Sequence, residues 1–228
     1  MGVFITFEGP EGSGKSTQAR LLYERLQATG YPVILTREPG GTRIGEMIRR
    51  IVMDLRHTEM APTTETLLFS AARAQLVSEL VRPYLNTGGI VLCDRYADST
   101  FAYQGYGLGR DLDELQAITA VATGGLMPDL TFYLDLDVEA GLRRKQAARE
   151  RADTVGAGSA QRPEWNRLDA RDLAYHQRVA AGFAELMRRD PARWRRLPAE
   201  QPVSELAEQI YHEVEPLLRR VALLGSQG

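Results

Sequence analysis

Apolar residues fall into five short runs separated by segments of helical periodicity. Val3-Phe4-Ile5-Thr6-Phe7 is β-rich and suited to a buried strand. Val33-Ile34-Leu35-Thr36, Ile90-Val91-Leu92-Cys93, residues 130–134 and residues 194–197 read the same way. Between them, Ala19, Leu22 and Leu26 share one face of a helix predicted over 17–29, with Gly30 as its stop. Ile44, Met47, Ile48, Ile51 and Val52 form a stripe ending near Leu55. A long helix is predicted over 61–85, with Thr63 or Thr64 as cap. Further helices are expected over 111–122, 138–151, 168–189 and 203–221.

Glycine and polar residues mark the breaks. Residues 105–109 hold three glycines and predict a flexible or tightly turned loop. Residues 152–164 are polar, with Gly156 and Gly158 among them, and predict a mobile loop; the tail 224–228 is expected to fray. Strands alternating with helices argue for an α/β fold, a parallel sheet covered on both faces. No internal repeat or long linker divides the 228 residues, so one domain over 1–228 is expected.

Composition narrows the function. A formal net charge of −2 gives no basic field, so no nucleic-acid partner is expected. No apolar run reaches membrane-spanning length, and a strand beginning within three residues leaves no room for a signal peptide. Cys93 is the only cysteine, which fits a reducing cytoplasm and excludes an intrachain disulfide framework. His57, His176 and His212 are scattered without metal-ligand spacing.

The chemistry centres on Gly9-Pro10-Glu11-Gly12-Ser13-Gly14-Lys15-Ser16, a G-x-x-x-x-G-K-S phosphate-binding loop followed by Thr17. It lies between a predicted strand and a predicted helix, the context such a loop requires. Its glycines let backbone N–H groups converge on one point, and the helix N-terminus adds free donors and a positive dipole end. Lys15 can reach the β- and γ-phosphates of a nucleoside triphosphate, and Ser16 can hold Mg²⁺.

Asp94 ends the third apolar run and is followed by Arg95. Alone, the pair reads equally well as a strand-end salt bridge. Beside a phosphate loop, Asp94 is a second candidate for Mg²⁺ and Arg95 a phosphate binder. Phe69 and Arg73 are four apart on one helical face and could stack on a planar base and donate to its carbonyl. Taken alone, an aromatic at that spacing is more often core. Residues 98–104 bring Ser99, Thr100, Tyr103 and Gln104 near Arg95, although Asp98 or Ser99 could equally be a helix cap. Arg143, Arg144, Lys145, Arg149 and Arg151 form a strip whose only acid is Glu150. Such a strip is usually a solvated face; here it could also be a lid over about 143–168 that closes on triphosphate.

Taken together, Phe7-Glu8-Gly9 with its loop, Thr36-Arg37-Glu38-Pro39-Gly40-Gly41-Thr42, and Leu68-Phe69-Ser70-Ala71-Ala72-Arg73 resemble the thymidylate kinase family. Asp94-Arg95-Tyr96 through Tyr103-Gln104-Gly105, Pro128-Asp129-Leu130 and Asn166-Arg167-Leu168-Asp169 extend the resemblance over nearly the whole chain. It implies a five-stranded parallel sheet wrapped by helices, of the phosphate-loop nucleoside monophosphate kinase type, in a homodimer. It also implies transfer of the γ-phosphoryl group of ATP to thymidine 5′-monophosphate (dTMP) with Mg²⁺.

Carried over by motif, Phe69 would stack on thymine, Arg73 would bond its O4, and Thr100 and Gln104 would approach N3. Tyr103 would crowd the sugar 2′ position. Arg95 would bind the acceptor phosphate, with Arg49 helping. Glu11 would reach the 3′-hydroxyl, with Glu38 close by. Residues 198–202 resemble the loop beside adenine.

The resemblance falls on the bacterial branch. The other branch carries an arginine inside the phosphate loop, where this chain has Gly12. The catalytic cation is therefore expected from the lid, with Arg144 and Arg149 foremost and Arg167 as the next candidate. The stretch 152–164 is longer than the usual lid. Another monophosphate kinase on the same fold is the nearest competing reading. A GTP switch would need Asn-Lys-x-Asp, which the chain lacks. An inactive relative fits poorly with Lys15, Ser16, Asp94 and Arg95 all in place.

Overall fold

The computed structural model describes residues 2–154 and 164–221. Five parallel strands form one sheet in the order β2-β3-β1-β4-β5. They are β1 (Val3–Glu8), β2 (Val33–Arg37), β3 (Ile90–Asp94), β4 (Leu130–Asp135) and β5 (Trp194–Pro198). Ile5 of β1 sits opposite Leu92 on one side and Leu130 on the other. The central strands β1, β3 and β4 are buried almost throughout and mostly apolar because helices cover both faces, with Thr6, Glu8 and Thr131 as buried polar exceptions.

Successive β1 side chains point to opposite faces. Val3, Ile5 and Phe7 pack with Ala19, Leu22 and Leu26 of α1 (Lys15–Ala28) and with Leu206, Ile210 and Val214 of α9 (Val203–Leu218). Phe4 packs on the other face with Leu76 of α3 (Pro62–Leu76) and with Val77, Val81 and Tyr96. Over β4 and β5, Tyr103, Tyr133, Phe183 and Trp194 build a third, aromatic cluster with α8 (Leu173–Arg189).

The remaining helices are α2 (Arg43–Met53), α4 (Arg82–Asn86), α5 (Ala97–Thr100), α6 (Leu112–Thr123) and α7 (Val138–Thr154). The helix predicted over 61–85 is continuous, passing from α3 to α4 through a π-helical turn at Val77–Val81. Its N-cap is Ala61 with Pro62 in the first turn; Thr63 and Thr64 do not cap it.

Three further expectations need correction. Of the glycines of 105–109, only Gly109 (φ 72°) lies in a tight turn: α5 runs into a π-helical segment, Phe101–Gly107, that takes in the other two. Gly105 and Gly107 serve close packing, since a Cβ at Gly107 would lie 2.6 Å from the Tyr175 ring and one at Gly105 2.6 Å from Leu112. Asp98 and Ser99 are not caps either; Tyr96 holds that position, and Asp98 instead pairs with Arg193 at 2.7 Å. Finally, α8 starts at Leu173, not near 168, because Asp172 caps it by accepting from Tyr175 N at 2.6 Å. The mobile loop expected over 152–164 lies mostly, and the frayed tail wholly, outside the described residues.

β1 lies between β3 and β4, so its outgoing loop opens at the point where the sheet order reverses. Crevices of open α/β sheets form there, at the carboxyl ends of the strands.

Candidate active site

The loop leaves β1 through Gly9, Gly12 and Gly14, with φ of 144°, 71° and 94°. These angles exclude most side chains and let the backbone curl around one point. Gly14 is also the N-cap of α1, so free N–H groups of that helix face the same space. A cleft of about 850 Å³ starts here and runs past β3 to α3 and the π-helical segment.

Lys15 is buried, and its Nζ donates to the carbonyls of Gly9 (3.1 Å) and Pro10 (2.7 Å). Burial, with the nearby charge of Arg95, brings its pKa down to about 8. Ser16 Oγ donates to Asp94 Oδ2, so the two oxygen groups expected to hold Mg²⁺ are in contact across the cleft floor. Among the described residues, no group of three or more His, Cys, Asp or Glu side chains could form a metal cage. A hydroxyl and one carboxylate suit Mg²⁺, which takes few protein oxygens and completes its shell with water and phosphate.

Glu11 is the electrostatic centre. Its Oε1 accepts from Arg95 Nη2 at 2.6 Å and from the Tyr103 hydroxyl at 3.0 Å. Its Oε2 accepts from Lys145 Nζ at 3.1 Å. Burial alone would raise its pKa, but the charges of Arg95, Lys145 and Lys15 outweigh it and hold the carboxyl well below the ordinary range. Lys145 is also bound by Asp169 at 2.7 Å, which ties α7 to the segment before α8.

Arg95 has φ of 70°, the only non-glycine among the described residues in the left-handed region. Its N–H is held by Phe7 O at 3.0 Å, and its guanidinium lies 4.9 Å from the Tyr103 ring centre. Behind it, fully buried Glu8 accepts from Tyr96 N (2.8 Å) and Ser99 Oγ (2.7 Å). Burial pushes the Glu8 carboxyl up to about 7 against the pull of Arg95.

At the far end, Arg73 is almost wholly buried. It donates Nε to Glu38 Oε2 (2.8 Å), Nη1 to Thr100 Oγ1 (2.8 Å) and Nη2 to Tyr96 O (3.2 Å). Five N–H bonds are available to a guanidinium, so donor capacity remains for a ligand. Glu38 Oε1 has no partner although it is buried, and Glu38 borders the cleft. Phe69, Thr100, Tyr103 and Gln104 line the same end. Arg49 donates to Pro39 O at 2.9 Å, pairs with Glu164 and reaches the cleft wall.

The lid candidates separate. Arg144 borders the cleft, and its Nη1 donates to Ala199 O at 3.4 Å, beside the loop 198–202. Arg149 does not reach the cleft, while Arg143 is exposed and pairs with Glu139. Arg167, the reserve cation, does not line the cleft; its Nη2 is bound to Glu65 at 2.6 Å.

Glu8, Lys145 and Asp169 in the site, and Glu65 behind it, are residues to which the sequence reading assigns no role of their own. Lys145 sat inside a charge run, where spacing ranks no member. The matched Asn-Arg-Leu-Asp motif contained Asp169 without assigning it a role.

A family model for thymidylate kinase matches residues 7–210. A thymidylate kinase of Roseiflexus castenholzii is 69% identical over 224 residues, covering 98% of this chain and 97% of that protein. One from Herpetosiphon aurantiacus is 58% identical over 236 residues, covering 99% and 100%. The crystal structure of thymidylate kinase from Ehrlichia chaffeensis superposes with a TM-score of 0.72 at 30% identity, covering 93% of this chain and 98% of that one. With a phosphate loop at one end of a single cleft and an aromatic, arginine-lined end at the other, the chain belongs to the thymidylate kinase family, which phosphorylates dTMP to dTDP with ATP.

Proposed function

We propose that the cleft holds both substrates at once, with the triphosphate of ATP in the loop and dTMP along α3 and the π-helical segment. The observation that carries this is the continuity of the cleft from Gly12–Ser16 to Phe69 and Gln104. Residues 9–17 cradle the phosphates, and Lys15 leaves its carbonyl partners for the β- and γ-oxygens when they arrive. Ala199, Gln201 and Pro202 form the wall beside adenine.

Phe69 stacks on thymine, Arg73 donates to O4, and Thr100 and Gln104 meet N3. Tyr103 closes off the 2′ position, and its hydroxyl is anchored on Glu11. Glu11 and Glu38 face the sugar, while Arg95, Ser99 and Arg49 serve the acceptor phosphate. Ser16 and Asp94 would hold Mg²⁺, which when bound neutralises charge on the β- and γ-phosphates.

Phosphoryl transfer leaves the protein mainly positioning and charge stabilisation to do. An oxygen of the dTMP phosphate attacks the γ-phosphorus while the bond to the β–γ bridging oxygen breaks. Lys15 and Arg144 flank the moving group, and Arg95 holds the attacking one. The cation comes from α7 because a side chain at Gly12 would collide with that helix: its Cβ would lie 2.1 Å from Gly141 O.

A cytoplasmic homodimer is the matching assembly. Ile44, Met47 and Ile51 of α2, Leu67 of α3 and Val121 of α6 are exposed apolar side chains, and α3 packs against both α2 and α6. Among the described residues, no helix is long and apolar enough to cross a membrane. Sedimentation across a concentration series tests the dimer; a monomer at micromolar concentration would refute it. An ADP-release assay over a panel of monophosphates tests the site, and a preference for another nucleotide over dTMP would refute the base placement.

A further inference from the structure

Glu65 stands on α3 at four and eight residues before Phe69 and Arg73, so all three share a helical face. It is fully buried. Its Oε1 accepts from Gln104 Nε2 at 2.8 Å, and its Oε2 accepts from Arg167 Nη2 at 2.6 Å and Arg171 Nη2 at 2.5 Å. We propose that Glu65 is a positioning residue that fixes the orientation of the Gln104 amide, and thereby selects a base with an N–H at position 3.

The two ends of an amide are alike in size and opposite in hydrogen-bonding sense. A carboxylate engaged by two guanidinium groups offers only acceptors. The NH₂ end of Gln104 must therefore face Glu65, and its carbonyl oxygen is left for the cleft that Gln104 lines. Thymine presents N–H at position 3. Cytosine presents a lone pair there and an amino group at position 4. A carbonyl oxygen accepts from the first and repels the second. Arg73, which can only donate, applies the same choice at position 4. Discrimination is strong where a buried polar group would otherwise be left unpaired. This inference rests on placing the base between Phe69 and Gln104.

The test compares kcat/KM for dTMP and for deoxycytidine monophosphate in the parent and in Glu65→Gln, Glu65→Asp and Gln104→Leu. Glu65→Gln offers Gln104 an amide instead of a carboxylate and frees it to turn over. Glu65→Asp keeps the charge for the two arginines but draws the acceptor back by one methylene. Either change is expected to lower efficiency on dTMP and to narrow the dTMP-to-dCMP ratio about tenfold. An equal loss on both acceptors, or an unchanged ratio in a folded Glu65 variant, overturns the proposal. If neither variant folds by circular dichroism, Glu65 serves the core alone and the proposal also fails. Gln104→Leu separates the two ideas. Unimpaired dTMP turnover there refutes the base placement itself, whereas impairment beside an unchanged ratio in the Glu65 variants refutes only the positioning role.

Discussion

The carbonyl oxygen of Gly141 occupies the place where a side chain at Gly12 would begin. A Cβ on Gly12 would stand 2.1 Å from that oxygen, and a Cβ on Gly141 would stand 2.2 Å from Glu11 O. Helix α7 therefore approaches the phosphate loop backbone to backbone. Gly141→Ala keeps an allowed helical backbone and tests the contact alone. It is expected to cost about 1–3 kcal/mol of stability through overpacking, and to lower kcat by moving α7 off the loop. Denaturant midpoints and turnover check this; parent values for both would show that the contact relaxes freely.

Lys15→Ala should fold and lose transfer by roughly 10²–10³ or more, the scale for one preorganised charge-stabilising donor. The free parent enzyme should also show an alkaline limb. With its pKa brought down to about 8, Lys15 loses its charge as pH rises through that value, so kcat/KM for ATP should fall above about pH 8. A profile flat to about pH 10 would place the ammonium in a wetter setting than the structure gives it.

Arg144→Ala should reduce single-turnover transfer by roughly 10²–10³, with little change in dTMP affinity, the pattern expected of a group that meets the transition state more than the ground state. Arg149→Ala should change it far less, since Arg149 does not border the cleft. The reverse order would mean that α7 rotates on closing.

At the base end, Phe69→Ala should weaken dTMP binding by about 1–3 kcal/mol, the stacking range. Arg73→Ala should also destabilise the fold by about 3–5 kcal/mol, because it leaves Glu38 buried without its cation. Tyr103→Ala should narrow the preference for deoxyribose over ribose acceptors. Calorimetric titration, thermal unfolding and paired kcat/KM values check the three in turn.

Glu8 makes stability depend on pH. Its carboxyl rises from an ordinary 4.5 to about 7 on folding, so within that window the folded chain holds more proton than the unfolded one. This contribution is complete below about pH 4.5 and is lost as pH rises through about 7. Its slope is at most about 1.4 kcal/mol per pH unit. Glu8→Gln should remove the slope. Urea midpoints of both proteins between about pH 5 and about pH 8 should converge at the alkaline end if the parent starts higher; parallel curves would contradict this.

The strands and the phosphate loop were legible in the sequence because each is a local signal. Buried strands are continuous apolar runs, and the loop is a spacing of glycines with a lysine. The π-helical segment was not legible: Gly105 and Gly107 look like turn residues until Tyr175 and Leu112 are seen against them. Nor was the start of α8, where the apolar pattern runs through Leu168 but Asp169 is drawn aside by Lys145. The acid that would hold Mg²⁺ could be read from a strand end. Glu65, silent inside a helix, acquires meaning only when residues 39 and 102 positions away come to it.

Glu11 joins Arg95, Tyr103 and Lys145, and so ties the residues proposed for the acceptor phosphate and the sugar to α7 through one carboxylate. Energies in such a junction do not add, since removing any member changes the electrostatic surroundings of the rest. In an evolving lineage these four positions would be expected to change together. A replacement of Tyr103 made to admit a different sugar would also take a hydrogen bond from Glu11, the partner of Lys145, so a second, compensating replacement is expected to be needed beside it.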